Sequence, residues 1–389
     1  MKITYLHQHF KLPTESGGSR PYEFAKRLAA DGHVVTVVAG AEESSDSDVE
    51  GFRLIRVAAP YANSMNFTRR LFAFLKYVVG ATLASVRVDC DVVFGSSTPL
   101  TVAIPTLVTH WVRRRPMVFE VRDLWPEVPI QLGAIRNPTL IKVAQLLERQ
   151  TYRSSACVVA LSPWMGEGVK KVSSNTNTVI IPNACDFEHF EKSDSSKSAE
   201  RRRLNWDDKF VVVYAGSFGR SYGLEWLVEL AGRLADEVEF VMYGTGAAYD
   251  ELHKLAQVRG LDPKRLLPGS LSKEEIASRL SAADMTISCL SEASVLQHNS
   301  LNKIFDSLAA GRPVLVNHGG WLAELVQENN AGVRLSRDIE EASKQIKEGI
   351  ETWDVSSMGA NAAKLGYENF DRNKMYGKFV ATLEKAAKT

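Results

Sequence analysis

Short β-branched runs alternate with amphipathic stretches along most of this chain, and that alternation restricts the possible folds more than any other feature. KITYLH, HVVTVVAG, FRLIRVA, DVVFGS, MVFEV, ACVVAL and TVIIP read as strands. RPYEFAKRLAADG, closed by a glycine, reads as a helix, and helical stretches lie between most of the other strands. A series of this kind gives a parallel sheet covered by helices on both faces. The pattern pauses at EHFEKSDSSKSAERRRLNWDDK, which is polar, serine-rich and charged and reads as a linker, its three arginines at 201–203 solvated. It resumes with FVVVYAGS, VEFVMYGTG, RLLPG, DMTISCL and RPVLVNHGG, and from about Ile339 the chain reads as helical. With 389 residues, two domains are the natural expectation. The pattern predicts an α/β chain of two doubly wound domains facing a central cleft. They span residues 1–190 and 204–369, with a linker at 191–203 and a last helix, about 370–389, packing back on the first domain.

A net charge of +1 gives no global field for nucleic acid, so an anionic partner must be met by a local basic patch. Cys90, Cys157, Cys185 and Cys289 show no paired spacing, which argues against a disulfide framework or a zinc site and fits a reducing cytoplasm. MKITYLHQHF reads as a first strand rather than a signal peptide. No window reaches the ~20 apolar residues that span a bilayer. The nearest, RLFAFLKYVVGATLASVRV, is interrupted by Lys76.

Glycines and polar residues gather where strands end, which is where open α/β sheets bind ligands: PTESGGSR, EVRDLWPE, LSPW, IPNACD, AGSFGRSYG, YGTG and PGS. The stretch NSLNKIFDSLAAGRPVLV raises a sharper point. Ile304, Phe305, Leu308 and Ala309 bury one helix face, Gly311 ends the helix, and Pro313 leads into a strand. Lys303 then sits in the first turn, where the helix dipole is positive and a cation is misplaced unless an anion shares the site. The DCD triplet at Asp89–Asp91 precedes a strand rather than following one, and reads as a strand entry rather than a metal pair.

Taken in order, GG…R after the first strand, FEVRDLWPE, IPNACD, YAGS, YGTG and NKIFDSLAAGRPV resemble the family-four glycosyltransferases of the GT-B fold. The likeness is strongest to the bacterial subgroup that builds O-antigen and capsule repeats, including N-acetylfucosamine-type transferases. It covers nearly the whole chain and implies two Rossmann-like domains, with the nucleotide sugar held by the second. The implied activity is retaining transfer from a nucleotide-diphosphate sugar, by the subgroup a UDP sugar, without a cofactor or bound metal. The implied acceptor is a polyprenyl-diphosphate-linked sugar or a glycan.

Sugar transfer of this kind needs a stabilised oxocarbenium-like carbon and a home for the charge on the departing diphosphate. Helix amides at Ser300, Leu301 and Asn302, with the point charge of Lys303, suit that diphosphate. The resemblance gives Asp306 the ribose hydroxyls. It also places Gly17, Gly18, Arg20, Asn183, Gly216, Ser217, Arg220, Gly244 and Gly246 on the donor side. Arg122, Asp123 and Glu127 fall to the acceptor, with Arg122, Asp123 and Lys303 carrying the chemistry and Asp123 best suited to assist acceptor deprotonation. The chain departs from the wider family in two respects. His298 stands where the first of two glutamates belongs, and Asp306 stands for the second. Ser217 and Tyr222-Gly223 replace an arginine and a Lys-Gly pair, leaving Arg220 as the substitute cation.

The segment 67–87 combines Phe67, Leu71, Phe72, Phe74, Leu75 and Val78 with Arg69, Arg70 and Lys76, and reads either as a core helix or as a helix lying on anionic lipid with help from Arg113, Arg114 and Arg115. The second reading predicts a peripheral protein on the inner face of the cytoplasmic membrane. The rival readings are a nucleotide-sugar 2-epimerase on the same fold and a non-enzymatic two-lobed binding protein, which would need a secretion signal. A nicotinamide dehydrogenase fits less well, because the first turn lacks a compact G-x-G-x-x-G.

Overall fold

Tyr5, in the middle of the first strand, is fully buried and packs edge-on against Phe94 of a neighbouring strand at 4.6 Å. That pair marks the core of the first of two units in a computed structural model of the chain. The structure describes residues 1–389 except 14, 16–19, 62–64, 66, 132, 134, 193 and 293, and the side chains at 67, 68, 70, 194 and 294. Unit 1 comprises Met1–Pro182 and Tyr376–Thr389, and unit 2 comprises Asn183–Met375.

Unit 1 runs β1 (Lys2–Leu6), α1 (Arg20–Ala30), β2 (Val34–Ala41), β3 (Ser45–Val49), β4 (Phe52–Ala58), α2 (Phe67–Ser85), β5 (Val92–Ser96), α3 (Ala103–Arg113), β6 (Met117–Val121), α4 (Glu127–Gln131), α5 (Pro138–Ser154), β7 (Cys157–Ala160), α6 (Pro163–Val172) and β8 (Thr178–Ile180). Its sheet has the order β3-β4-β2-β1-β5-β6-β7-β8 and is parallel except for β3 against β4. β5, β6 and β7 are buried throughout, as strands covered on both faces must be. The polar β3, SDSDV, has no apolar signature and was not foreseen; it is a mostly exposed edge strand held by hairpin pairing.

Unit 2 runs α7 (Phe187–Phe190), α8 (Asp194–Arg203), β9 (Phe210–Ala215), α9 (Glu225–Arg233), β10 (Val238–Tyr243), α10 (Tyr249–Val258), α11 (Pro263–Leu266), α12 (Lys273–Ala282), β11 (Met285–Ser288), α13 (Asn302–Ala309), β12 (Val314–Val316), α14 (Trp321–Glu328), β13 (Gly332–Arg334), α15 (Ile339–Thr352), α16 (Val355–Phe370) and the start of α17 (Arg372–Ala387). Its five strands are parallel, in the order β10-β9-β11-β12-β13. From Tyr376 onward the last helix belongs to unit 1, where buried Phe379 stacks on Phe24 at 4.3 Å and meets Phe94 at 4.9 Å.

Three expectations change. Residues 194–203 form helix α8 rather than a linker, and Arg201 is no solvated charge. It donates to the carbonyls of Trp206, Lys209 and Ala282 and pairs with Asp284, stapling α8 into unit 2. RLLPG is not a strand: Asp262 caps a short helix with Pro263 at its first position, and only Gly269 bridges to β10. β13 is three residues long, too short for periodicity to reveal. Asp89 and Asp91 do serve strand entry, since Asp89 pairs with the Lys2 ammonium at 2.7 Å and Asp91 accepts the Lys2 amide at 2.8 Å.

Candidate active site

Helix α13 is the centre of the site in unit 2. Leu301, at its N-cap, offers no side-chain hydrogen bond, so the first-turn amides lack the usual capping acceptor. The preceding residue is fixed: Asn183 donates its amide N–H to Ser300 Oγ at 3.0 Å and its Nδ2 to Ser300 O at 2.7 Å, while its buried Oδ1 stays unpartnered. The helix ends as its sequence suggests. Gly311, at φ +63°, lets the Arg312 amide reach back to Ser307 O and the Gly311 amide to Leu308 O.

Lys303 projects from the first turn with no carboxylate partner among the described residues. Its Nζ lies 3.6 Å from the centre of the Tyr222 ring and 4.9 Å from that of Tyr214. Burial lowers its pKa to about 8. Two aromatic faces therefore hold the ammonium without neutralising it. Asp306, one turn on, is half-buried and makes no side-chain hydrogen bond or ion pair with any described residue. Burial raises its pKa to about 7, against the pull of Lys273 and Arg372. Those two cations are engaged elsewhere, each 2.7 Å from Asp186.

The glycine loops of unit 2 are stitched to one another. Gly216 N–H donates to Tyr243 O, Phe218 N–H to Thr245 O, and Gly244 N–H to Gly269 O. A Cβ on Gly244 would lie 1.9 Å from Gly216 O, and one on Gly246 2.7 Å from Phe218 O. These two glycines are thus required by close backbone approach. A Cβ on Gly216 would come within 3.1 Å of Lys303 Cε, so this glycine makes room for the lysine. Ser217 uses its carbonyl to accept the Tyr214 hydroxyl at 2.8 Å. Arg220 pairs with Glu251 at 2.7 Å, with 70% and 52% of the two side chains exposed; it is a surface ion pair that the sequence offered as the substitute cation.

In unit 1, Gly17 and Gly18 lie outside the described residues. Arg20 is committed to the fold. Its Nε and Nη2 donate to Glu120 Oε1 at 3.0 and 2.9 Å, and further donors go to Ile181 O and Pro182 O. Glu120 is fully buried and also accepts from Ser96 Oγ at 2.7 Å. That network takes most of the guanidinium donors that the sequence assigned to the diphosphate. Arg122 and Asp123 follow β6, both half-buried, with the Arg122 amide held by Ser97 Oγ at 3.1 Å. Glu127 is exposed and accepts from Gln131 one turn later on α4.

The sequence reading missed the aromatic pair under Lys303, although Tyr222 stands where the family has a lysine. It also missed His318, a buried neutral imidazole whose pKa burial lowers to about 4 and whose Nδ1 donates to Gly319 O at 2.8 Å. The only sequence signal for His318 was its place just past β12.

A glycosyl transferase 4-like domain matches residues 17–184, and a glycosyl transferases group 1 domain matches residues 209–352. WcaI of Escherichia coli K12, named as a colanic acid biosynthesis glycosyl transferase, is 30% identical over 158 residues, 39% of this chain and 39% of that protein. Alpha-D-kanosaminyltransferase of Streptomyces kanamyceticus is 25% identical over 199 residues, 49% of this chain and 50% of that protein. The chain thus spans half or less of the length of these curated relatives. Among solved structures, sucrose-phosphate synthase of Thermosynechococcus elongatus shares the fold at a TM-score of 0.77, with 17% identity over 99% of this chain and 98% of that one. Anabaena Alr3699/HepE, solved with UDP and glucose, does so at 0.75, with 18% identity over 99% and 100%. Matched in sequence along both halves and in fold along its whole length, the chain belongs to the family-four glycosyltransferases of the GT-B fold.

Proposed function

We propose that this protein transfers a sugar, an N-acetylated hexosamine or deoxyhexosamine, from a UDP sugar to a lipid-linked or glycan acceptor, with retention and without a metal, in bacterial surface polysaccharide synthesis. The observation that carries the reading is the pair of half-buried ionisable groups on α13 that have no ion pair among the described residues. Lys303 has a diphosphate's charge to meet and Asp306 has ribose hydroxyls to bind, and the two stand in that order from the helix N-terminus. UDP bound to HepE and colanic acid biosynthesis in WcaI's name support the donor and the setting.

As the glycosidic bond lengthens, negative charge grows on the departing diphosphate, and the open amides of α13 and the Lys303 ammonium are fixed in place to take it up. In front-face transfer the departing phosphate oxygen receives the acceptor's proton, so Asp123 orients the hydroxyl. Incubation with a panel of UDP sugars and a polyprenyl-diphosphate-linked sugar, with the product anomer read by NMR, tests this. The α-configured donor should give an α product, and a β product contradicts retention.

Membrane docking is part of the same proposal. α2 buries Ala73, Tyr77, Ala81 and Ser85 on one side while Leu71, Leu75, Val79 and Leu83 stand exposed on another, beside exposed Phe72. Trp111 and Val112 of α3 and Leu140, Val143 and Leu146 of α5 are exposed too, and these helices pack side by side. Exposed Lys76, Arg114, Arg115, Lys142 and Arg149 border the apolar face, which suits an anionic bilayer. No helix among the described residues is long and apolar enough to cross a membrane. Flotation with anionic vesicles should fall when Phe72 and Leu146 are changed to serine and should weaken with salt; flotation insensitive to both contradicts docking through this face.

A further inference from the structure

The side chain of Arg122 makes no hydrogen bond and no ion pair with any described residue, although it is half-buried just past β6. Two histidines near it are uncharged. His7, buried just past β1, donates Nδ1–H to Ser96 O at 3.1 Å, and burial holds its pKa well below the ordinary imidazole value, so the ring is neutral. His9, two residues on, is also neutral, because burial lowers its pKa to about 4, with Lys11 and Arg122 adding to the effect. A half-buried guanidinium beside neutral rings, with none of its donors taken by a described residue, is a fit for an anionic ligand.

An apolar path begins beside it. The His9 ring meets Tyr61 at 4.7 Å, and Tyr61 stacks on Phe74 of α2 at 5.6 Å with the planes 19° apart. Phe74 lies one helical turn from Leu71 and next to Leu75, both in the exposed stripe of α2. Unit 1 alone therefore lines up a cation, three rings and an open apolar helix face. Resting on the glycosyltransferase reading above, we infer that Arg122 binds the phosphate or diphosphate head of a lipid-linked acceptor whose chain leaves past His9, Tyr61 and Phe74 toward α2.

The test titrates farnesyl diphosphate, inorganic pyrophosphate and farnesol, one at a time, into the full chain saturated with UDP. Farnesyl diphosphate should bind at least ~10-fold more tightly than either of the others, as head and chain each contribute. Arg122→Gln should weaken farnesyl diphosphate at least ~10-fold and leave UDP affinity unchanged. The side chain has no partner to lose, so this variant should melt as the wild type does. Arg122→Lys, which keeps the charge and loses the fork, should fall between the two. The inference is overturned if wild type binds no farnesyl diphosphate, if Arg122→Gln binds it as tightly, or if pyrophosphate matches it, which would mark a free-phosphate site. Wild-type UDP binding is read separately: its absence contradicts the donor-site reading and leaves the Arg122 comparison to stand or fall by itself.

Discussion

Lys303 and Asp306 stand one turn apart on α13, both half-buried, and neither is ion-paired with the other or with any described residue. Burial disfavours both charges, drawing the lysine down to about 8 and the carboxyl up to about 7. An arrangement that costs the empty protein stability on two neighbouring side chains is explained if a ligand repays it.

Replacing Asp306 with asparagine should stabilise the empty protein while weakening UDP binding. The folded pKa, about 7, lies above the ordinary 3.8, so the folded form keeps its proton longer than the unfolded one. Stability from this group is complete below about pH 4 and is lost as pH rises through 7. Asp306→Asn removes that loss, so at pH 8 it should be more stable by about 1–3 kcal/mol, the range for a buried group left unpaired. Chemical denaturation at pH 4 and 8 measures this; an unaltered pH slope would place the carboxyl in solvent.

UDP affinity should peak between about pH 7 and 8. Above that window Lys303 loses the proton that meets the diphosphate; below it Asp306 gains one and its acceptor strength falls. Calorimetry in buffers of different ionisation enthalpy should show proton uptake on UDP binding at pH 8.5. Lys303→Met should abolish that uptake, and a Lys303→Met profile identical to wild type would exclude the ammonium from the diphosphate site.

Two arginines assigned to the donor from sequence should behave quite differently. Arg20→Met leaves Glu120 buried without its partner and should cost about 3–5 kcal/mol of stability. Arg220→Met removes an exposed pair with Glu251 and should cost roughly 0–1 kcal/mol. Urea melts separate them, and equal losses would contradict the burial difference.

What the sequence made legible follows from what leaves a periodic trace. β5, β6 and β7 are buried along their length and announce themselves as apolar runs, and the helix stop at Gly311 has one chemical cause. β3 is polar because it is an edge, and α8 is polar because its contacts run through Arg201, so neither shows in an apolar pattern. In the site, Lys303 stood out because its charge opposed the helix dipole. The assignment of Arg20 to the diphosphate rested on the motif, while its partner Glu120 lies 100 residues away in sequence inside an apolar strand. Nothing in the sequence pattern brings those two together.

If Asp123 orients the acceptor hydroxyl or takes its proton, Asp123→Asn should reduce transfer while leaving UDP affinity unchanged, since the proposed donor site lies on α13. A role as base predicts a loss of about 10²–10⁴ in kcat. Rates of sugar transfer beside UDP titrations separate the two, and near-wild-type transfer would remove Asp123 from the chemistry.

The most direct test of the α13 site is a thermal-shift panel of UDP, GDP, ADP and dTDP on the wild type, Lys303→Met and Asp306→Asn. A ligand that binds only the native state adds roughly 2.7 kcal/mol at ~100 times its Kd. UDP should raise the wild-type melting temperature more than the other three do, and neither variant should respond at the same concentration. Equal UDP shifts in wild type and both variants would contradict the account, because the unpaired charges of α13 would then have no part in holding the donor.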